Sequence, residues 1–229
     1  MSSQKTIVVF GSGPGIGNHT AAEFASKGFT HVILLARSKD RLPADAAQVS
    51  KAVPGVKVDT LTIDLANLSS IPDVLKKIDG LAPSPEVVFF NAARIKMTPN
   101  PLAVPVEEID EDFKTTNLAL HIVAQHYIPK LKGLAESNPA AKPSLLVTNS
   151  HLPWDPAPPL LSLSLVKASQ RNMVINFNRA FSGAGVHAAL VTVEGQVAPA
   201  NKSLNPKNIA EKTYGLYEDG KVLEVNIKE

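Results

Sequence analysis

The sequence has 229 residues, 44% of them hydrophobic, and a formal net charge of +2 at pH 7. This length fits one α/β domain, or at most two small ones, and the apolar fraction is large enough to build a packed core. So small a net charge gives no argument for binding to nucleic acids or to anionic membranes, and neither partner is expected.

The chain contains no cysteine. Disulfides and thiolate metal sites are therefore excluded, and a reducing, cytoplasmic compartment is expected. The first apolar run, at 6–10, is too short for a signal peptide or for a helix that crosses a membrane. The six histidines show no His-Glu-x-x-His spacing, so no metal site is expected.

Short apolar runs alternate with helix-like segments along the whole chain. The runs predict strands at 6–10, 31–36, 56–63, 86–90, 144–148, 186–193 and 221–225. The segments between them predict helices at 15–27, 39–52, 67–81, 106–132, 160–182 and 206–214. Most strands are continuously apolar, as in strands buried on both faces. This pattern predicts one α/β domain at 1–229: a single doubly wound, Rossmann-type parallel sheet of about seven strands with helices on both faces.

Residues that start or stop helices mark some of the boundaries. Asn67 is a candidate N-cap, and Gly28 and Gly183 are candidate stops after helices. Two proline-rich segments, at 98–105 and 152–159, each follow a predicted strand. In such folds the loops at this place line the ligand crevice, although stiff surface loops would have the same composition.

A glycine-rich loop, "VVFGSGPGIGN", joins the first strand to the first helix. Gly11, Gly15 and Gly17 fit a Gly-x-x-x-Gly-x-Gly spacing. A strand, glycine loop and helix in this order allow the backbone to approach a pyrophosphate, which then rests on the helix N-terminus. The alternative is a tight turn without a ligand.

The end of the second strand indicates which dinucleotide is bound. An acidic residue is typical of NAD-binding proteins at this place, but the sequence has Ala36 followed by Arg37. Arg37 is suited to hold a 2′-phosphate, with further donors from Ser38 and from Lys39 or Arg41. The sequence therefore favours NADP(H), unless these charges belong only to a solvated helix start.

From these residues onward, the chain resembles the short-chain dehydrogenase/reductase family over essentially its whole length. The glycine spacing is that family's form. Five further segments match its motifs in order: "IDLAN" (63–67), "FNAAR" (90–94), "TTNLALHIV" (115–123), "VTNSHLP" (147–153) and "VEGQVAP" (193–199). Phe90, Ala93 and Glu194 depart from the family pattern. With Arg37 and Ser38, the resemblance implies NADP(H) contacts from Gly11, Ser12, Gly15, Ile16, Gly17, Asp64, Leu65, Asn91, Ala92, Lys167 and Val197.

The resemblance also implies a catalytic set, of which one member is missing. In the family a Tyr donates the proton, a Lys lowers the pKa of that Tyr and binds the ribose, a Ser holds the substrate oxygen, and an Asn organises a relay water. Ser150, Lys167 and Asn117 match three of these positions. Leu163 stands where the Tyr is expected. The tyrosines are at 127, 214 and 217, so no realignment supplies one.

The missing acid limits the chemistry that can be expected. A positioned general acid contributes about 10²–10⁴ in rate, or roughly 3–5 kcal/mol. His151 is the nearest replacement in the sequence, since imidazole exchanges protons near neutral pH, unless it is a rim residue without a chemical role. Lys167 is a second candidate if an apolar pocket lowers the pKa of its ammonium, and a ribose contact alone is its alternative role.

Two further features concern the partners. Only "ANKSL" (200–204) stands where the family usually inserts a helical lid. The cleft should therefore be open at this place, or closed by a partner subunit. An open cleft would suit a bulky small-molecule substrate. Segments 106–132 and 160–182 resemble the family's interface helices. They carry Leu118, Ile122, Met173 and Phe177, which predict a homodimer or homotetramer.

The expected function is that of a biosynthetic, NADP(H)-binding enzyme with non-standard chemistry. One alternative is a reductase with a substituted proton donor. Another is a non-redox enzyme on the same scaffold, such as a cyclase, isomerase or pericyclase. A third is a non-catalytic NADP-sensing regulator. The fold cannot choose among them, because function depends on the site.

Overall fold

The computed structural model describes residues 5–229. Seven strands form one sheet: β1 (Thr6–Phe10), β2 (His31–Ala36), β3 (Lys57–Thr62), β4 (Val87–Phe90), β5 (Ser144–Ser150), β6 (His187–Val193) and β7 (Glu224–Ile227). Seven α-helices connect them: α1 (Ile16–Ser26), α2 (Leu42–Ala52), α3 (Ile71–Leu81), α4 (Val106–Phe113), α5 (Ala119–Ser137), α6 (Leu161–Phe181) and α7 (Pro206–Asp219).

All strands of the sheet are parallel, in the order β3-β2-β1-β4-β5-β6-β7. The strand order reverses between β1 and β4, so the chain is doubly wound and a crevice opens where these two strands end. Alternate residues of β1 enter opposite cores: Val8 packs with α3, α5 and α6, and Ile7 with α1, α2 and α7. The predicted α/β fold, a doubly wound parallel sheet with helices on both faces, is confirmed.

Several predicted boundaries differ from the structure for local reasons. The segment predicted as one helix at 106–132 contains a π-helical turn, Lys114–Leu118, between α4 and α5. The last strand begins at Glu224 instead of 221, because the Asp219 carboxylate accepts hydrogen bonds from the backbone of Lys221 and Val222 and holds them in a turn. Helix α7 continues to Asp219, beyond the predicted end at 214, because Leu216 and Tyr217 extend its buried face.

The predicted helix stops are partly correct. Gly28 follows α1 with φ +99°, as expected. After α6 the left-handed residue is Gly185, with φ +79°, whereas Gly183 lies inside a short 3₁₀ turn. Asn67 precedes the 3₁₀ turn that leads into α3, but its side chain accepts from the Ser69 hydroxyl instead of capping the backbone. No helix in the described part of the chain is both long and apolar enough to cross a membrane.

Candidate active site

One cavity of about 1070 Å³ lies at the carboxyl ends of β1, β2, β4 and β5. It is lined by every residue predicted for the site except Asn117. It extends from the glycine loop, past the end of β2, to the first turns of α6. The structure thus brings the predicted phosphate-binding and catalytic residues to one cavity.

The glycine loop is shaped by close backbone packing. A Cβ atom on Gly11 would lie 2.7 Å from the backbone nitrogen of Ala92, and one on Gly17 would lie 2.5 Å from the carbonyl oxygen of Gly11. Gly15 differs, because a Cβ there would lie within 4 Å of no atom of residues 5–229 beyond its own chain neighbours. Gly15 also lines the cavity at the N-terminus of α1. The open side of Gly15, beside unpaired N–H groups of a helix N-terminus, fits the pyrophosphate of a dinucleotide.

A buried carboxylate supports this loop from behind. Asp45 of α2 is 2% exposed and accepts hydrogen bonds from Ser12 Oγ at 3.1 Å, Asn18 Nδ2 at 2.8 Å and Arg41 Nε at 3.3 Å. Arg41 also donates to the carbonyl oxygen of Ser12 at 2.7 Å. Ser12 lines the cavity as predicted, but its hydroxyl donates its proton to Asp45. The spacing of four residues between Arg41 and Asp45, which places both on one helix face, is the sequence signal that indicates this cluster.

The end of β2 presents a cation to the cavity. Arg37 and Ser38 are exposed and line it, and no hydrogen bond or ion pair within residues 5–229 involves the Arg37 side chain. Arg41, by contrast, is already held by Asp45 and Ser12. Asp64 and Leu65 line the same end of the cavity, where the Asp64 carboxylate accepts from the backbone of Ala66 at 3.1 Å. Arg37 is therefore available to a ligand anion.

Asn91 ties three strand ends together. Its Nδ2 donates to the carbonyl oxygen of Gly11 at 3.0 Å, and its Oδ1 accepts from Thr148 Oγ1 at 2.8 Å. Both ends of the amide are therefore satisfied inside the protein. Asn91 lines the cavity as predicted, and its side chain fixes the spacing of β1, β4 and β5 around it.

Lys167 of α6 is the buried cation of the cavity, with 5% of its surface exposed. Its ammonium donates to the carbonyl oxygen of Thr148 at 2.7 Å and to Gln170 Oε1 at 2.9 Å. Burial lowers the pKa of Lys167 to about 7, because the charged form loses hydration. Gln170 was missed by the sequence analysis, since it matches no motif and its role depends on contacts across the fold.

Ser150 and His151 lie where β5 ends. Both are half-buried and line the cavity. The Ser150 hydroxyl oxygen accepts from the backbone of Leu152 at 3.3 Å. His151 Nδ1 is buried and forms no hydrogen bond within the described residues. The Ser150 hydroxyl can therefore still donate to a ligand, and the His151 ring lies next to it on the cavity wall.

Leu163 lines the cavity one helical turn before Lys167. It is 8% exposed and packs in a small apolar cluster with Leu152 and Val166. None of the three tyrosines, all within the described residues, lines the cavity. A phenol is therefore absent from the cavity wall among residues 5–229.

Asn117 is not on the cavity wall. It lies in the π-helical turn, is 2% exposed, and donates through Nδ2 to the carbonyl oxygen of Val166 at 3.1 Å. That hydrogen bond holds the side chain behind α6, away from the wall that carries the other predicted site residues, and the relay role of Asn117 stays a prediction. Its Oδ1 is buried without a hydrogen-bond partner among residues 5–229.

The rest of the cavity wall is mostly apolar, contributed by Ile95, Met97, Leu152, Ala157, Leu160 and Leu163. The second proline-rich segment, at 152–159, lines the crevice as expected. The first, at 98–105, does not, because the wall is formed by Ile95 and Met97 just before it. A hydrogen bond from the Thr98 backbone to the Pro159 carbonyl, at 2.9 Å, joins the two loops.

Comparisons with known proteins agree with this architecture. The family model of short chain dehydrogenases matches residues 5–140, more than half of the chain. Human retinol dehydrogenase 13 is 26% identical over 151 residues, which are 66% of this chain and 44% of that protein. The chain spans less than half the length of the curated relatives that it matches, down to 17% for a fungal very-long-chain 3-oxoacyl-CoA reductase from Mycosarcoma maydis.

Solved structures match the fold over nearly the whole chain. A metagenomic short-chain oxidoreductase in complex with NADP is 18% identical, with a TM-score of 0.84 over 98% of this chain and 96% of that one. The NADH-dependent reductase A1-R′ complexed with NAD is 17% identical, with a TM-score of 0.81 over 97% and 95%. At these identities the likeness shows the fold alone.

Proposed function

The chain belongs to the short-chain dehydrogenase family, and from that premise we propose that it is an NADP(H)-dependent oxidoreductase of small-molecule, biosynthetic metabolism. Its substrate is a carbonyl compound or the matching alcohol. Its proton donor is a group other than tyrosine, because Leu163 occupies the place where the family carries that residue.

One observation carries this proposal. A single cavity joins the glycine loop to Ser150, His151 and Lys167, polar groups that can contact a carbonyl or alcohol oxygen. A dinucleotide with its phosphates at Gly15 has room to extend along the same cavity toward Lys167. Binding and chemistry therefore share one continuous space.

Arg37 supports the preference for NADP(H). Its guanidinium has no acidic partner in the described chain, and Ala36 supplies no carboxylate that would repel a 2′-phosphate. A charge-assisted pair with a phosphate is stronger than a neutral hydrogen bond. The solved relatives include one bound to NADP and one bound to NAD, so the preference depends on Arg37.

The apolar wall supports an apolar and bulky substrate. Ile95 and Met97 line the cavity and remain 78% and 69% exposed, so the apolar surface continues out to the mouth. Arg94, which precedes Ile95 on this wall, is already paired with Glu111 and Asp112. A neutral apolar molecule matches such a surface better than a charged one.

Each residue of the cavity has a role in the proposed reaction. When bound, the nicotinamide supplies or accepts the hydride. The Ser150 hydroxyl donates a hydrogen bond to the substrate oxygen. His151 and Lys167 are the two groups on the wall that can exchange a proton with that oxygen. The apolar side chains of Leu152 and Leu163 exclude water beside it.

A second candidate function follows from Leu163. Because this side chain packs in an apolar cluster, the wall can hold a substrate by complementary shape as well as by groups that transfer protons. A non-redox cyclase, isomerase or pericyclase would use such a wall, with the dinucleotide in a structural role. A non-catalytic NADP sensor would need the dinucleotide part of the cavity alone.

A stopped-flow experiment separates these functions. The protein is mixed with NADPH and a panel of apolar ketones and reactive precursors, and both NADPH oxidation and product mass are followed. Oxidation with a product two hydrogen masses heavier supports the oxidoreductase. A rearranged product of unchanged mass, with NADPH intact, supports the non-redox enzyme. NADPH binding without any product across the panel contradicts both enzymes and supports the sensor.

A further inference from the structure

Gln170 is a fully buried amide on α6, one turn after Lys167. Its Oε1 accepts from Lys167 Nζ at 2.9 Å, and its Nε2 donates to the carbonyl oxygen of Thr116 at 3.3 Å. Thr116 belongs to the π-helical turn between α4 and α5. The amide therefore connects the lysine to a second structural element and cannot rotate without losing a buried hydrogen bond, which costs about 1–3 kcal/mol.

The hydrogen bonds of Lys167 leave one N–H bond of its ammonium for a molecule in the cavity. An ammonium has three N–H bonds, and two of them go to Thr148 O and Gln170 Oε1. Lys167 itself lines the cavity. The third N–H bond is therefore the one available to a bound molecule. A neutral amine has two N–H bonds and one lone pair, so the same two acceptors also satisfy the deprotonated state.

We propose that Gln170 is a positioning residue, which holds Lys167 so that the third N–H bond of the ammonium faces the bound molecule. In the absence of a tyrosine, Lys167 exchanges the reaction proton. This inference rests on the proposed function. In the reducing direction, hydride from a reduced nicotinamide adds to the carbonyl carbon. The C=O π pair moves to the oxygen, which takes a proton from the Lys167 ammonium. The neutral amine keeps both hydrogen bonds and regains its proton from solvent.

The surroundings of Lys167 suit this role. Burial lowers its pKa to about 7, so that both protonation states are populated near neutral pH. The ion pairs on α6 and the elements around it include Asp112 with Arg94, Lys114 with Asp110, and Arg171 with Glu224. His151 is the remaining titratable group on the cavity wall at this end.

The arrangement is tested by following the lysine directly. In protein labelled with ¹⁵N-lysine, the Nζ resonances are recorded against pH, and Lys167 is identified as the resonance that Lys167→Arg removes. We expect a midpoint near 7. Gln170→Glu places a carboxylate beside the ammonium and should raise the midpoint by at least one pH unit. Gln170→Met keeps the volume, removes the acceptor and should lower the midpoint.

The controls separate positioning from a general structural effect. Gln125→Glu, on the exposed side of α5, should leave the midpoint of Lys167 unchanged. This titration needs no cofactor, so its result does not depend on whether the proposed function is correct. A midpoint above 9 in the wild type, or one that neither Gln170 variant moves, overturns the positioning role.

The proton-transfer role is tested by activity. Gln170→Met should lower the rate of NADPH-dependent reduction at least tenfold, while the dissociation constant of NADPH changes less than twofold. The pH midpoint of that rate should rise in Gln170→Glu, together with the lysine midpoint. If His151→Asn abolishes reduction while Gln170→Met leaves its rate and pH profile unchanged, the proton comes from His151 and the inference is wrong.

Discussion

Leu163 lies one helical turn before Lys167 on α6, and both side chains line the same cavity. The two residues therefore have the spacing of an acid and its supporting lysine, but only the lysine has a proton to give. With Lys167 as the proton donor, the wild-type chain should reduce simple ketones more slowly than a variant that carries a phenol between Lys167 and the substrate.

Leu163→Tyr should increase NADPH-dependent reduction of a generic ketone. The new hydroxyl would stand one turn from Lys167, and the gain has an upper limit of about 10²–10⁴. Initial rates at saturating NADPH measure it. Leu163→Phe is the matched control, because it adds the ring without the hydroxyl. Equal gains in both variants, or fast reduction by the wild type, would contradict the assignment of Leu163 to the place of the acid.

Arg37→Ala should weaken NADPH binding and leave NADH binding nearly unchanged. The guanidinium has no partner among residues 5–229, and a lost charge-assisted hydrogen bond costs about 1.5–3 kcal/mol, or roughly 10–100-fold in affinity. Titration of Trp154 fluorescence or calorimetry measures both cofactors. The exposed Lys39→Ala is the control, since Lys39 does not line the cavity. Equal affinities of the wild type for NADPH and NADH would refute the preference.

Lys167 should make the stability of the cofactor-free protein depend on pH. Its pKa is about 7 in the folded chain and near 10.5 when unperturbed, so between these values the unfolded chain binds more protons. The free energy of unfolding therefore rises with pH across this window, by up to about 1.4 kcal/mol per pH unit. Below pH 7 the full cost of burying the charge is present.

Lys167→Met removes this dependence. Relative to the wild type, the variant should be stabilised more at pH 6 than at pH 9, as measured by urea denaturation at both values. Lys212→Met, at an exposed position of α7, provides the control and should show no such difference. A stability difference for Lys167→Met that is the same at both pH values contradicts the lowered pKa.

The chain should form a homodimer or homotetramer through α5 and α6. Of the four residues expected at this interface, Ile122, Met173 and Phe177 pack partly against the protein's own core. Leu118 remains 45% exposed, and Leu165 of α6 is 42% exposed. Light scattering should give a multiple of 24.4 kDa, which Leu118→Glu combined with Leu165→Glu should reduce. A mass of 24.4 kDa for the wild type at micromolar concentration would exclude the assembly.

Local sequence patterns predicted most of the fold. The strand at 31–36 was predicted to the residue, because continuous apolar runs between turn signals depend little on distant contacts. The predicted start of the last strand is too early, because the Asp219 carboxylate accepts hydrogen bonds from the backbone N–H groups of Lys221 and Val222. The spacing of its glycines predicts the glycine loop, and the resemblance to the family implies the role of Lys167. Sequence patterns do not indicate Gln170, because its role depends on a tertiary contact between α6 and the π-helical turn.

Gly15 allows the most direct test of the central claim, that this cavity binds NADP(H) with its phosphates at the glycine loop. Gly15→Val adds a side chain where a Cβ lies within 4 Å of no atom of residues 5–229 beyond its own chain neighbours, so the fold should survive while the phosphate position is blocked. Gly80→Ala also adds a Cβ in open space, but away from the cavity, and is the control.

Calorimetric titration with NADPH, together with thermal unfolding of each variant, is the measurement. We predict that the wild type and Gly80→Ala bind NADPH with equal affinity. Gly15→Val should bind at least tenfold more weakly, with its unfolding temperature within a few degrees of the wild type. No binding by the wild type, or equal binding by a folded Gly15→Val, would contradict the claim.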